Sequence, residues 1–272
     1  MFQNQRTIFL CFLTIICTYS YSQTDTAKLL LQYKLTFQPD STNNEYKVSE
    51  VFQLLIGKKH SMYISSNQLK RDEYIDQIKQ QATVGTLTEI NLTGLPRSRF
   101  QARIIHNITT GSTFTYSTIL TDKYYYEVDV PKWKLLNKYK MISGYNCQLA
   151  TSSFGGRDFE VWFTPDIPIQ DGPFIFKKLP GLVISANDIR NHYVFILENI
   201  SQDQNYKVFS IHEDGAELVK RSEFMQMKIK LRDNSIAMIE QSGFTMDETK
   251  KSVFIQNQQN ARKLNNNPLE LK

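Results

Sequence analysis

Residues that bind metals or act as nucleophiles are scarce in this sequence. Its 272 residues include four histidines and three cysteines, and neither H-E-x-x-H nor C-x-x-C occurs. Zinc sites need such ligands at short spacing, so the sequence predicts no metal and no other cofactor. The G-x-S-x-G elbow of α/β-hydrolases and the glycine-rich loops that hold phosphates are missing too.

The excess of positive over negative charge is also small. The chain has 32 Lys and Arg against 27 Asp and Glu, a formal net charge of +5. Because this excess looks spread along the chain, we expect no nucleic-acid partner. With 22% charged and 12% aromatic residues, the chain is not a disordered tail. Its length suffices for a full core without disulfides.

The N-terminus has the pattern of an export signal. Arg6 precedes an apolar run over 8–17, and small residues stand at Ser20 and Ser22. This order is typical of a secretory signal peptide, which we predict to span 1–22 and to be cleaved. The protein would then be periplasmic, associated with the outer membrane, or extracellular. Cleavage removes Cys11 and Cys17 and leaves Cys147, for which we favour a buried strand thiol over a reactive one.

Apolar and polar residues alternate along most of the remaining chain, which predicts strands. In 29–37, Leu31, Tyr33, Leu35 and Phe37 share one face. Glycine-containing or polar turns predict hairpins at 110–112, 154–158, 186–191 and 214–215. The predicted strands are 29–37, 48–56 with a continuation over 61–64, 100–108, 113–120, 124–130, 144–153, 159–163, 182–185, 193–199, 208–212 and 217–220.

Helices are fewer. The spacing of apolar residues predicts one over 67–82, and 224–232 fits either a helix or a strand. Residues 245–248 match a capping box, which predicts a helix over 246–263. The expected fold is mainly β: a curved antiparallel sheet or an open half-barrel with a few peripheral helices, including one near the C-terminus. We predict one domain, 23–272.

A few residues could serve hydrolysis if the fold brought them together. Asp166 and Asp171 are a carboxylate pair of the kind glycosidases use, although both also suit turns. Cys147 with His192 would form a nucleophile and base. A hydrolase would need two or three of these residues, or Arg157, to converge in one pocket. No pattern of residues favours this arrangement, so we assign no catalytic residue.

The most distinctive segment is a proline-rich loop with its flanking residues. Its prolines fix φ and remove backbone donors, so the loop cannot join the sheet throughout. Because Phe174, Phe176 and Leu179 are too apolar to remain in water together, we expect the loop to fold back and close one edge or mouth of the core. The motif residues are Trp162, Pro165, Asp166, Pro168, Gly172, Pro173, Leu179, Pro180, Gly181 and Leu182.

Residues 178–183, Lys-Leu-Pro-Gly-Leu-Val, resemble the motif of the GLPGLI family of exported Bacteroidota proteins. Four of the six positions agree. Lys178 replaces the first glycine, a residue free to adopt positive φ, so the turn before Leu179 is expected to differ. Further landmarks occur in the family's order: Trp133-Lys134-Leu135, Gly144-Tyr145-Asn146-Cys147, Gly156-Arg157, residues 162–168, Gly172-Pro173 and Asn267-Pro268-Leu269-Glu270.

This resemblance implies an exported, β-rich protein without an assigned activity. It is strongest over 131–200, a segment similar to the N-terminal accessory domain of some bacterial peptide:N-glycosidases. That domain is non-catalytic, and the resemblance therefore implies no catalytic residue here.

Three functions remain compatible with the sequence. The leading hypothesis is a non-catalytic envelope protein that binds or carries an apolar or extended ligand, or binds a partner protein, with peripheral membrane contact allowed. The alternatives are an envelope hydrolase acting on glycans or peptides, and a surface protein that pairs with a partner by β-strand addition. The sequence indicates no oligomeric state.

Overall fold

The computed structural model describes residues 24–86, 93–202, 207–241, 243 and 245–270. The predicted signal peptide, with Cys11 and Cys17, lies outside these residues. Fourteen strands and four helices are present in the described part of the chain. The expected mainly β fold with a helix near the C-terminus is confirmed.

Strands and helices follow one another in chain order with most helices near the end. The strands are β1 Thr24–Thr26, β2 Leu29–Phe37, β3 Val48–Ile56, β4 His60–Ser65, β5 Arg103–Asn107, β6 Thr113–Ile119, β7 Asp122–Glu127, β8 Lys134–Ile142, β9 Tyr145–Phe154, β10 Arg157–Thr164, β11 Leu182–Asp188, β12 Tyr193–Gln202, β13 Val208–Ser210 and β14 Glu217–Leu218. The helices are α1 Ser66–Thr83, α2 Arg221–Asp233, α3 Ser235–Gln241 and α4 Glu248–Leu264.

Twelve strands form one large sheet in the order β14-β7-β6-β5-β4-β3-β2-β12-β11-β10-β9-β8. Its neighbours are antiparallel except for β14 and β7. Short turns join most neighbours, and parallel pairing would need longer crossovers. At the β9–β10 hairpin, Gly155 and Gly156 have φ of 58° and 81°, which explains why two glycines occupy this tight reversal. The sheet is not closed into a barrel.

Several local predictions were wrong. Segments 208–212 and 217–220 do not pair with each other: β13 pairs with β1, and β14 adds to β7. Segment 61–64 belongs to a separate strand, β4, that folds back on β3. Residues 224–232, which fitted either a helix or a strand, are helical and lie within α2. Thr245 does not cap α4, because Asp247 is the N-cap and accepts from the backbone N–H of Lys250 at 2.8 Å.

The main core lies on one face of the curled sheet. Strands from β2 to β12 all contribute to it except β8, and the predicted face of β2 is fully buried, with Leu31, Tyr33, Leu35 and Phe37 at most 4% exposed. Phe224 of α2 enters the same cluster beside Tyr126 of β7. Residues from the two ends of the sheet therefore meet in one core, which requires the sheet to curl around it.

A second, smaller core lies around β3 to β6. It consists of buried side chains from these strands together with Ala27, Leu69 of α1, Phe209 of β13 and Ile211. Ser65 caps α1 by accepting from the backbone N–H groups of Asn67 and Gln68, so the helix begins where β4 ends. The β1–β13 pair and α1 together cover this part of the sheet.

Candidate functional site

The proline-rich loop, residues 165–181, fills the inside of the sheet. Ile175, Phe176 and Leu179 are at most 1% exposed. The ring of Phe176 lies 5.1 Å from that of Phe159 and 5.5 Å from that of Phe195, between centroids. The loop thus folds back over the sheet as expected, but it supplies part of the core as well as covering it.

A buried ion pair anchors this loop. Lys177 binds Asp171 and also donates to the carbonyl of Gly172 at 2.7 Å. The second carboxylate oxygen of Asp171 accepts from the hydroxyl of Ser61 on β4. Burial lowers the pKa of Lys177, while the Asp171 charge opposes that change. Since lysine and aspartate are rarely buried unless paired, each makes the other tolerable inside the protein.

Two positions of the motif require glycine for steric reasons. A Cβ on Gly181 would lie 2.1 Å from the carbonyl oxygen of Thr164, and a Cβ on Gly172 would lie 2.6 Å from the side chain of Val183. Any larger residue would push the loop away from the sheet. Lys178, in place of the family's first glycine, adopts a φ of 65°, so the turn keeps the conformation that glycine would favour.

His106 lies beside this ion pair but completes no catalytic group with it. It is the cross-strand neighbour of Ser61, and its Nδ1 lies 2.9 Å from the hydroxyl of Thr113. Burial, helped by the Lys177 charge, lowers the pKa of His106 to about 4, so the ring is neutral at pH 7. His106 and Asp171 line a groove of about 650 Å³, whereas Ser61 is not on its wall.

Cys147 and Asp166 have no catalytic setting. Cys147 is fully buried, as predicted, and burial raises its pKa to about 11, so it remains a thiol at neutral pH. Asp166 is exposed and donates its backbone N–H to the hydroxyl of Thr164 at 3.3 Å. Neither belongs to the hydrogen-bonded groups around Asp171 or His192.

Arg157 and His192 lie close together, but the other hydrogen bonds of Arg157 connect parts of the fold. Arg157 Nη1 lies 3.0 Å from a carboxylate oxygen of Asp188 and 3.5 Å from His192 Nδ1. The other guanidinium nitrogens bind the carbonyls of Pro268 and Leu269. The landmarks Gly156-Arg157 and Asn267–Glu270, far apart in sequence, thus meet in space. We call the buried residues that surround Asn267 the clamp: Gln38, Arg157, Asp188 and Tyr193.

Among the residues that the structure describes, one end of the sheet is an open edge. β8 is the last strand in the sheet order and pairs with β9 on one side. Its register shifts between Leu135 and Tyr139. Leu135, Tyr139 and Met141 are 46%, 58% and 67% exposed. Apolar side chains so exposed on an edge strand mark a surface suited to interaction.

The same edge is basic. Lys132, Lys134, Lys138 and Lys140 are all exposed, and none forms an ion pair with another described residue. Lys140 Nζ lies 4.1 Å from the ring centroid of Trp162. Our expectation of an evenly spread charge was therefore wrong. Residues 130–157 contain five basic residues and no acidic one, a signal that was available in the sequence.

Within the described residues, no three metal-binding side chains cluster. In the same part of the chain, no helix is long and apolar enough to cross a membrane.

No family model and no curated protein matches the sequence. Two structures of PNGF-II are similar to it, one in space group C2 and one in P21. Both are 14% identical to this chain; the matches cover 77% and 76% of it, with TM-scores of 0.48 and 0.45. The chain spans about a third of the PNGF-II length, 33% and 34%. The GLPGLI resemblance stays a prediction.

Proposed function

We propose that this protein is a non-catalytic binding module whose edge strand β8 receives an extended, acidic segment of a partner protein. The observation that carries this proposal is the edge itself. β8, Lys134–Ile142, pairs with β9 along one side, except at 136–138 where the register shifts, and displays both apolar and basic side chains. An extended peptide can add to such an edge through main-chain hydrogen bonds, while its side chains provide specificity.

The packing argues against a carrier of apolar ligands. A carrier needs a lined cavity inside the curled sheet. Here Phe176 and Leu179 occupy that position, fully buried among the strands. A ligand would have to displace the loop and break the Asp171–Lys177 pair, which is a large cost.

The placement of the candidate residues argues against a hydrolase. Asp171 binds Lys177 and Ser61, and His192 lies next to Arg157, a residue of the clamp. Cys147 is a buried thiol with a raised pKa. A hydrolytic site needs such groups around one position where a substrate atom can sit.

The charge on β8 selects the partner. Lysines on an edge strand discourage pairing with other edges, and a second β8 would bring three more lysines to the same place. An acidic strand is instead attracted, and its apolar residues can cover Tyr139 and Met141. If the N-terminal segment directs export, the partner is another protein of the cell envelope.

The test uses the full chain and a ten-residue peptide that alternates valine and glutamate. We expect hydrogen–deuterium exchange to slow at those β8 amides that do not bond to β9, because the added strand would accept from them. Fluorescence polarisation with the labelled peptide should show at least tenfold weaker binding for Lys138→Glu/Lys140→Glu.

The matched control is Lys228→Glu/Lys230→Glu, an exposed pair with the same spacing and charge change on α2. This variant should bind the peptide within about twofold of the unmodified chain. A single-stranded oligonucleotide of equal charge serves as the competing probe. Equal binding of that probe, or slowed exchange elsewhere than in β8, would overturn the proposal.

A further inference from the structure

The clamp holds a short peptide segment, and that segment belongs to the chain itself. All four polar atoms of Asn267 are hydrogen-bonded. Its backbone N–H donates to Pro39 at 3.0 Å, its carbonyl accepts from the Tyr193 hydroxyl at 2.6 Å, and its amide nitrogen donates to the carbonyl of Gln38 at 2.7 Å. Its side-chain oxygen accepts from Arg157 at 2.5 Å. Such complete pairing selects asparagine, since a buried group left unpaired is costly.

The residues that follow are recognised mainly through their backbone. Arg157 donates to the carbonyls of Pro268 at 2.6 Å and Leu269 at 3.0 Å. Proline has no N–H, so nothing at position 268 is left without a partner. Glu270 then pairs with Arg221. This is the set of contacts expected of a peptide-binding site for the sequence Asn-Pro-x-acidic.

Contacts among the clamp residues also hold Arg157 in position. Asp188 binds Arg157 with one carboxylate oxygen and accepts from the backbone N–H of Tyr193, at 2.7 Å, with the other. The Tyr193 ring lies 4.9 Å from the Arg157 guanidinium. Arg157, Asp188 and Tyr193 are 6%, 2% and 3% exposed. A rigid buried arginine of this kind is a preorganised site for carbonyl groups.

The helix that leads to this segment is attached to α2 and α3 through polar contacts at the surface, among them the Lys251–Glu240 ion pair, and exposed contacts of this kind contribute little. No residue of α4 is buried. Val253 and Leu264 are 53% and 55% exposed, and their eleven-residue spacing, about three turns, places them on the same face. The segment therefore owes its position to the clamp and to the hydrogen bonds of Asn266 with Asp40 and Ser41, because α4 itself buries no residue.

We propose that the clamp accepts residues 265–270 of a second copy, so that two chains exchange their C-terminal segments. The contacts are chemically the same in either arrangement, which makes exchange a low-cost route to a dimer. The loosely packed α4 lets the segment leave its own sheet. Two exchanged α4 helices would also bring their exposed Val253 and Leu264 faces within reach of each other. This proposal does not depend on β8.

A cysteine trap tests this exchange. A Cβ on Gly155 would lie 3.2 Å from the Cβ of Glu270, slightly less than the 3.5–4.5 Å typical of disulfides, and the cysteine must keep the φ of 58° that glycine has there. Gly155→Cys and Glu270→Cys are prepared as separate proteins with Cys11→Ser and Cys17→Ser, while buried Cys147 is kept. We expect the mixed proteins to form a disulfide-linked heterodimer on non-reducing gels, in a yield that rises with concentration.

The double variant Gly155→Cys/Glu270→Cys in one chain shows whether the geometry permits the bond. If the double variant closes within single chains and the mixture stays monomeric at every concentration, the exchange proposal is wrong. Each single variant alone gives the background from random collisions.

Asn267→Leu distinguishes recognition by the clamp from collision. Its side chain is of similar size but cannot form the two side-chain hydrogen bonds, so the heterodimer yield should fall at least tenfold. Asn146→Leu on the exposed surface of β9, away from the clamp and from α4, is the matched control and should leave the yield unchanged. An undiminished yield for Asn267→Leu would also refute the proposal. Lys138→Glu/Lys140→Glu should not alter the yield, which separates this test from that of β8.

Discussion

At the scale of single residues, Lys178 has a backbone conformation that favours glycine. Its φ of 65° costs a non-glycine residue roughly 1–2 kcal/mol. A glycine variant would avoid this strain, but the greater conformational freedom of its unfolded chain would offset part of the gain in stability. We therefore predict that Lys178→Gly raises the free energy of unfolding by about 1 kcal/mol, measured by urea denaturation. Lys178→Ala, which keeps the strained backbone, is the control; equal stability of the two variants would contradict this explanation.

At the scale of elements, the proline-rich loop depends on the Asp171–Lys177 pair. Removing one member of a buried pair leaves an uncompensated charge and typically costs about 3–5 kcal/mol. We predict that Lys177→Met is destabilised by this amount in urea denaturation. Adding Asp171→Asn should restore at least half of the loss, because the unpaired charge is then gone. A double variant as unstable as Lys177→Met would show that packing of the lysine stem, and not charge, holds the loop.

The elements also show how far the sequence could predict the structure. Residues 29–37 and 48–56 form strands with the predicted bounds, because one buried and one less buried face leave a clear alternation. β8 has no buried residue and hence no such pattern, so it was not predicted. Two hydrogen bonds join residues that are 110 positions apart: Ser61 with Asp171, and Arg157 with Asn267. Contacts this distant are set by the curl of the sheet, which no local spacing reveals.

At the scale of the whole molecule, the order of strands ties the two halves of the sequence together. β2, near the start of the described chain, pairs with β12 over nine residue pairs. The hydroxyl of Tyr33 on β2 donates to the carbonyl of Val183 on β11 at 2.7 Å. The sheet therefore cannot be divided between β2 and β12 without breaking its central hydrogen bonds and its main core.

This arrangement predicts a single cooperative unfolding transition. Trp133 directly precedes β8 and Trp162 lies on β10, so both report on the second half of the sheet, whereas far-UV circular dichroism reports every strand. If the chain is one domain, urea transitions followed by tryptophan fluorescence and by circular dichroism should coincide. Lys177→Met should shift both by the same amount, because loss of the loop weakens the core shared by both halves. Two separated midpoints would instead show that β2–β7 and β8–β12 unfold as independent units, and the single-domain prediction would be wrong.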